Sequence, residues 1–503
     1  MTTENEEGMV GVQFSNVRGG VGGPGGEQAS EAAPLCLDLY SCPPTQVAVL
    51  SSRVDYINPI NTLTNAKTIE FAITSSGDEL IFPQETRIEL GVKILTNTGV
   101  PIPNYNAQNN PNDAAKVIPA NGLSSNLFKN CKVKLNDTIL EHGDGLYAYR
   151  ADLENLLMTS ENEKNKDLEI EGYFNDLNYF PPWKYHAALA AAGGAAAHPF
   201  PGFHEANWTN LNHKKPLHKR AIMSRDSQTM YVEGKIHSEI FEQGKVLPPS
   251  SKLYVSFDRQ DFDDFSILCA QDQDQQYRVD IVSCRLRVTW LKIDPGILNE
   301  MIQSGLGGGS YTIPLRRVKM DYITKQRASD FSESNLFSEG NTLPRRIFLA
   351  FVSNVAFRGD KTRDPFHYEN LGGIRTLGLR VGGEHRPYPM IMLDTVSKTG
   401  NNILLHQLLD STKSYLKEGT VNGLDLYTFN RDKTILGFDL STVKAPVGEN
   451  YEMPVKKTCD LEMTVNDDPG REAMTMVIYA EYDAEIEIDA YHNVKKKNFG
   501  TAE

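Results

Sequence analysis

Five of the 11 histidines, His186, His198, His204, His213 and His218, crowd one stretch of the chain. Imidazole is a common transition-metal ligand, so the crowding invites a metal reading. The separations of 12, 6, 9 and 5 residues match no ligand spacing, and neither HExxH nor His-x-His occurs. Asp258, Asp261, Asp263, Asp264, Asp272 and Asp274 supply hard oxygen donors of the kind calcium prefers. They lack the order of an EF-hand, and a solvated connection is expected. Gly20, Gly22 and Gly25 match a GxGxxG phosphate fingerprint only in spacing, because no strand precedes them and no helix follows. The glycine run at 305–309 has no lysine to reach a phosphate, and no GxSxG nucleophile turn is present. No catalytic, cofactor-binding or metal-ligating residue is therefore assigned. One basic cluster remains: Lys214, Lys215, Lys219 and Arg220, in KKPLHKR, suit a nuclear-import signal or a basic contact.

Composition narrows the partners. With 51 basic and 65 acidic side chains in 503 residues, the net charge is −14. A surface of that sign disfavours general nucleic-acid binding, which depends on cations neutralising phosphates. Sequence-specific nucleic-acid binding is not expected. The six cysteines, at 36, 42, 131, 269, 284 and 459, are too sparse for a disulfide framework. No apolar run reaches the ~18 residues of a membrane span, and the acidic start MTTENEE does not read as a secretion signal. Folding in a reducing compartment without membrane insertion is the expectation.

The elements that would position any site are mostly strands. Thr68–Thr74 and residues 87–95, 131–140, 230–241, 252–257 and 277–293 alternate apolar and polar side chains with a period near two. Residues 314–323, 346–355, 374–381, 390–393, 434–440, 461–465 and 473–490 repeat the texture. Helical periodicity is confined to 148–158, 295–302 and 401–415. Many short strands without βαβ alternation indicate β-sandwiches. Residues 1–34 hold eight of the 39 glycines and read as a flexible arm. Residues 35–295 form the first β unit, interrupted by an irregular insertion at 173–225. Residues 296–310 are a helix and glycine-rich linker, 311–490 the second unit, and 491–503 a tail.

Several ordered blocks carry a resemblance. LDLYSCPPTQ (37–46), VDYINPI (54–60), LGVKILTNTG (90–99), LFKNCKVKLNDTIL (127–140) and YAYRADLENLL (147–157) come first. YRVDIVSCRLRVTWLKIDPGIL (277–298), YTIPLRRVKMDYI (311–323) and LPRRIFLAFVSNVAFRGDKTRDPF (343–366) follow. Together they resemble the double-jelly-roll major capsid proteins, hexon-like in build, of Polinton/Maverick elements and adintoviruses. The glycine-rich arm and the alanine- and histidine-rich insertion depart from that pattern. The resemblance implies an all-β chain of two consecutive eight-stranded jelly rolls with short helices in the loops. It implies a homotrimer forming a pseudo-hexameric capsomer, with neighbouring capsomers and penton or minor capsid proteins as partners. The implied location is the icosahedral virion shell, made in host cytoplasm and assembled there or in the host nucleus. It implies a structural, non-enzymatic role without cofactors. The competing readings are a β-sandwich or cupin-type enzyme, carbohydrate-active or metal-dependent, and a β-sandwich receptor-binding spike.

Overall fold

The computed structural model describes residues 46–63, 66–102, 117–176, 216–269, 276–326, 330–334, 336, 342–371, 373–393, 402–412, 422–442, 451–452, 455–466 and 472–498. The expected arm at 1–34, the alanine run at 187–197, and Cys36 and Cys42 lie outside these residues. Among the described residues, ten strands precede residue 294: β1 (Val49–Ile57), β2 (Thr68–Thr74), β3 (Glu79–Thr96), β4 (Val117–Pro119), β5 (Phe128–Leu135), β6 (Thr138–Glu141), β7 (Met230–Lys235), β8 (Lys252–Arg259), β9 (Ile267–Cys269) and β10 (Tyr277–Ile293). Eight follow residue 310: β11 (Tyr311–Lys325), β12 (Arg346–Ser353), β13 (Ile374–Val381), β14 (Glu384–Met392), β15 (Ile435–Asp439), β16 (Cys459–Val465), β17 (Met474–Ile488) and β18 (Val494–Asn498).

Hydrogen bonding sorts the first set into sheets β1-β10-β3-β7 and β2-β8-β5-β6, with β4-β9 as a separate ribbon. Apart from the β5–β6 hairpin and the β4-β9 ribbon, consecutive strands cross between the two sheets, which is the double Greek key of a jelly roll. The second set repeats it as β11-β17-β12-β15 facing β14-β13-β16. Its remaining position, equivalent to β2, is reduced to a segment bridged to β16 at Asp330–Thr464 and Glu333–Leu461. The chain is thus two jelly rolls in sequence, and the topology recurs although the residues do not.

Alternation explains most of this. In TIEFAIT, Ile69, Phe71 and Ile73 are buried while Glu70 and Thr74 face solvent. Strand β12 breaks the rule, since all eight residues of RIFLAFVS are buried. Helix 402–412 packs on its neighbour β15 so closely that a Cβ at Gly437 would lie 2.2 Å from Ser411 Oγ.

Three readings are corrected. Residues 131–140 are not one strand, because Asn136 adopts φ +53° and folds them into the β5–β6 hairpin. Residues 230–241 end as a strand at Lys235, and Glu239–Glu242 form a helical turn. Val494–Asn498, placed in a tail, is a strand paired with β17 from Ala484 to Ile488. Its approach clamps the rolls together, with Asn136 Nδ2 donating to His492 O at 2.9 Å and Thr138 Oγ1 to Val494 O at 3.2 Å.

The helices join the rolls rather than decorate them. Helix α1 (Tyr147–Met158) leaves the first roll, yet Leu153, Leu156 and Leu157 sit in the second roll's core with Phe348, Phe351 and Ile478. In return Ile313, Leu315, Ile486, Ile488 and Val494 pack into the first roll's core. Each fully buried aliphatic side chain contributes about 1.5–3 kcal/mol, so this exchange makes the two rolls one body. Helix α2 (Pro216–Ser224) closes the insertion and buries Ala221. The turn Glu239–Glu242 is α3, and α4 (Pro295–Leu306) connects the rolls, capped by Asp294 Oδ1 accepting from Gly296 N at 2.8 Å. No described helix is long and apolar enough to cross a membrane.

Candidate functional site

The chemistry-bearing side chains collect at the junction of the rolls, on two flanks of α1. Arg150 and Glu154 are four residues apart and face one flank, where Arg150 Nε donates to Glu154 Oε1 at 3.0 Å. Arg150 also pairs with Glu141 at the end of β6. His237, just past β7, places Nδ1 2.6 Å from Glu154 Oε2. The second roll completes the cluster. Tyr479 OH reaches Glu154 Oε1 at 3.2 Å and Glu481 Oε1 at 3.1 Å, and Arg346 Nε donates to Glu481 Oε2 at 2.7 Å. Arg316 Nη2 donates to Glu242 Oε2 at 2.5 Å, and its Nη1 lies 3.6 Å from Glu481.

Burial sets the electrostatics, because a low-dielectric site disfavours charge unless it is paired. Burial, the largest single influence, would raise Glu154, but Arg150, His237 and Arg316 together outweigh it and hold the carboxyl well below its usual range. Burial lowers His237 to about 4, so the imidazole is neutral and its Nδ1–H donates to Glu154. Burial, then Glu141, raises Glu239 to about 8; burial, then Glu154, raises Glu242 to about 7. Glu154, Glu239, Glu242 and Arg316 line a cleft of roughly 410 Å³ between the rolls, with Gln84, Lys235 and Asp483 on its walls.

The other flank is sealed. Tyr368 OH donates to Asp152 Oδ2 at 2.6 Å, and Lys433 Nζ lies 5.3 Å from the Tyr368 ring centroid while donating to Phe366 O at 2.8 Å. Burial raises Asp152 to about 6. Lys164 Nζ, also buried, donates to Asn422 O at 2.6 Å and to Leu156 O, and burial lowers it to about 7. Tyr149 packs beside this flank against Phe357, Phe265 and Phe366.

The residues singled out by type and spacing do not converge. Lys214, Lys215, His186, His198, His204, His213, Asp272 and Asp274 lie outside the described residues. Lys219 pairs with Glu169 and lies over Phe174, whereas Arg220 is interior, with Nη1 donating to Pro119 O at 3.2 Å. Asp258, Asp261 and Asp263 are taken by Lys132, Lys129 and Arg259 rather than gathered around a shared centre. Cys131, Cys269, Cys284 and Cys459 are buried free thiols. The α1 cluster was missed. Its only local signal is the Arg150–Glu154 pair inside a leucine-bearing helix.

No family model matches the sequence. An uncharacterized protein of Caenorhabditis elegans is 22% identical over 458 residues, covering 90% of this chain and 98% of that protein. The fold is shared with a chain of the Sputnik virophage at a TM-score of 0.59 and 12% identity, covering 95% of this chain and 94% of that one. A chain of the PBCV-1 virus capsid superposes at a TM-score of 0.53 and 9% identity, covering 92% of this chain and all of that one.

Proposed function

We propose that this chain is the major capsid protein of a Polinton/Maverick- or adintovirus-type element, a structural protein that trimerises into pseudo-hexameric capsomers and builds an icosahedral shell. The observation that carries this reading is the end-to-end likeness of both rolls, in order, to chains of the Sputnik virophage and the PBCV-1 capsid. The physics of the junction supports it. Two rolls that exchange core residues form a stiff tile, and three such tiles present six rolls around a threefold axis. A trimer of this kind holds its subunits by interfaces larger than the ~2,000 Å² at which obligate assemblies begin. Neighbouring capsomers and penton or minor capsid proteins would be the further partners, and the virion shell the location. Nuclear import through residues 214–220 would rest on Lys214 and Lys215, because Arg220 is interior and Lys219 is engaged.

Light scattering on the purified protein tests the central claim. A trimer of three 56.1 kDa chains is expected, showing a pseudo-hexagonal outline by negative-stain microscopy. A strict monomer at micromolar concentration would overturn it.

A further inference from the structure

We propose that residues 35–40 (LCLDLY) of this chain dock on the apolar face of α4, the helix that connects the two rolls. Ile297, Leu298, Met301, Ile302 and Gly305 recur at the spacing that lines one side of a helix, with Leu306 at its end. Asn299, Glu300, Gln303 and Ser304 occupy the other side and are exposed. A helix patterned in this way normally buries its stripe. Yet none of the five apolar side chains is buried, Leu306 is 64% exposed, and none joins either core of the described residues. Tyr311 covers one edge of the stripe. Its OH donates to Met301 O at 2.9 Å, and a Cβ at Gly305 would lie 3.6 Å from its ring.

The point at which the chain enters the fold identifies the occupant. The described residues begin at Gln46, and Ala48 O accepts from the backbone N–H of Asp294, the N-cap of α4, at 2.9 Å. Residues 1–45 therefore join the fold beside the start of α4. Val47 and Leu50, on either side of Ala48, are themselves 73% and 55% exposed. The densest apolar run before Gln46 is residues 35–40, where Asp38 alone interrupts Leu, Cys and Tyr. Residues 41–45 link that run to Gln46, and five extended residues span about 17 Å. A 12-residue helix is about 18 Å long, so the tether reaches along the stripe. Other occupants fit less well. One face of such a helix offers roughly 18 Å by 10 Å, far below the ~800 Å² per partner of a stable dimer. A tethered segment needs much less area, because its effective concentration is about millimolar. An anionic lipid surface would meet no cation, since α4 carries Glu300 and neither lysine nor arginine. The docking lies within one chain and is independent of the capsid reading. It would brace the connector of the two rolls against the strand that opens the first.

Hydrogen exchange on the full-length protein tests the docking. The double variant Leu37→Ser/Leu39→Ser should speed exchange of the α4 amides about tenfold or more, because two covering leucines are lost, while β3 and β10 stay protected. Unchanged α4 exchange overturns the proposal. The helix side gives a second reading that does not need that variant to fold. Leu298→Ser/Ile302→Ser should speed proteolytic cleavage within residues 35–45 about tenfold. Cleavage at the wild-type rate overturns it. Mild oxidation of Met301→Cys, which sets a thiol within reach of Cys36, identifies whose segment sits on the helix. A disulfide within one chain is expected, read by mass spectrometry as the Cys36 peptide joined to the 301 peptide in material of single-chain size. Chains linked in pairs through these positions would assign the face to a neighbouring copy's segment and overturn the placement.

Discussion

The two flanks of α1 bury comparable polar chemistry by different means. On the Asp152 flank each group is answered locally: a tyrosine hydroxyl for the carboxylate, backbone carbonyls for both lysines, and an aromatic face over Lys433. That arrangement can be sealed from water. On the Glu154 flank acids outnumber guanidiniums, and the network opens onto a cleft. A surplus of buried charge must be protonated, solvated or balanced by an ion, so this flank keeps an opening where the other does not. The lesson is that one helix can carry a closed structural joint and an adjustable one, two residues apart.

The comparison can be broken hardest at Arg150. Replacing it by Met leaves Glu141 and Glu154 without their shared cation and should cost about 4 kcal/mol, read as a lowered denaturant midpoint. A loss under about 1 kcal/mol would mean that water already screens this flank. Removing residues 490–503 deletes β18, which pairs with β17 and covers the β6 edge beside Glu141. We expect a loss of about 3 kcal/mol from five strand residues and buried Val494. Hydrogen exchange should then rise at β5–β6 more than around Asp152 and Tyr368. Equal exposure on both flanks would contradict the asymmetry.

The sealed flank has its own signature in pH. Asp152 is raised from 3.8 to about 6, so the folded state holds the extra proton and stability falls as pH climbs through that interval. Lys164 is lowered from 10.5 to about 7, so above pH 7 the unfolded state holds the extra proton and stability rises with pH. The flank should contribute least between pH 6 and 7. Lys164→Met should abolish the alkaline rise, a swing of about 4 kcal/mol in unfolding free energy between pH 7 and 10. A variant with an unchanged slope would place the lysine in water. The smallest effect is expected for Tyr368→Phe, which removes the donor to Asp152 at a cost of about 1 kcal/mol by equilibrium unfolding.

Much of the fold was legible because strands such as TIEFAIT and the long run at 277–293 state their buried face by alternation. The failures have local causes. Asn136 turns the chain inside an apolar run that reads as continuous, and in MYVEGKIHSEIF the alternation outlasts the strand that produces it. The lysines of VKKKN read as solvated because their partner, β17, is distant information. The candidate site was illegible for the same reason at larger scale. Glu154 lies more than eighty residues before His237 and Glu242 and meets them only in the folded chain.

The exchange of core residues also dictates the order in which the chain can be finished during synthesis. When the ribosome has released the first roll, its core still lacks Ile313, Leu315, Ile486, Ile488 and Val494, the last of them on the final strand of the second roll. The second roll meanwhile draws on α1, already made but with Leu153, Leu156 and Leu157 still uncovered. A nascent chain of about three hundred residues therefore exposes unfinished apolar surface until the last strands of the second roll are made, the condition in which large β proteins aggregate or recruit chaperones. Neither roll can ripen early, and a prematurely terminated product is denied a stable half-tile that could poison assembly.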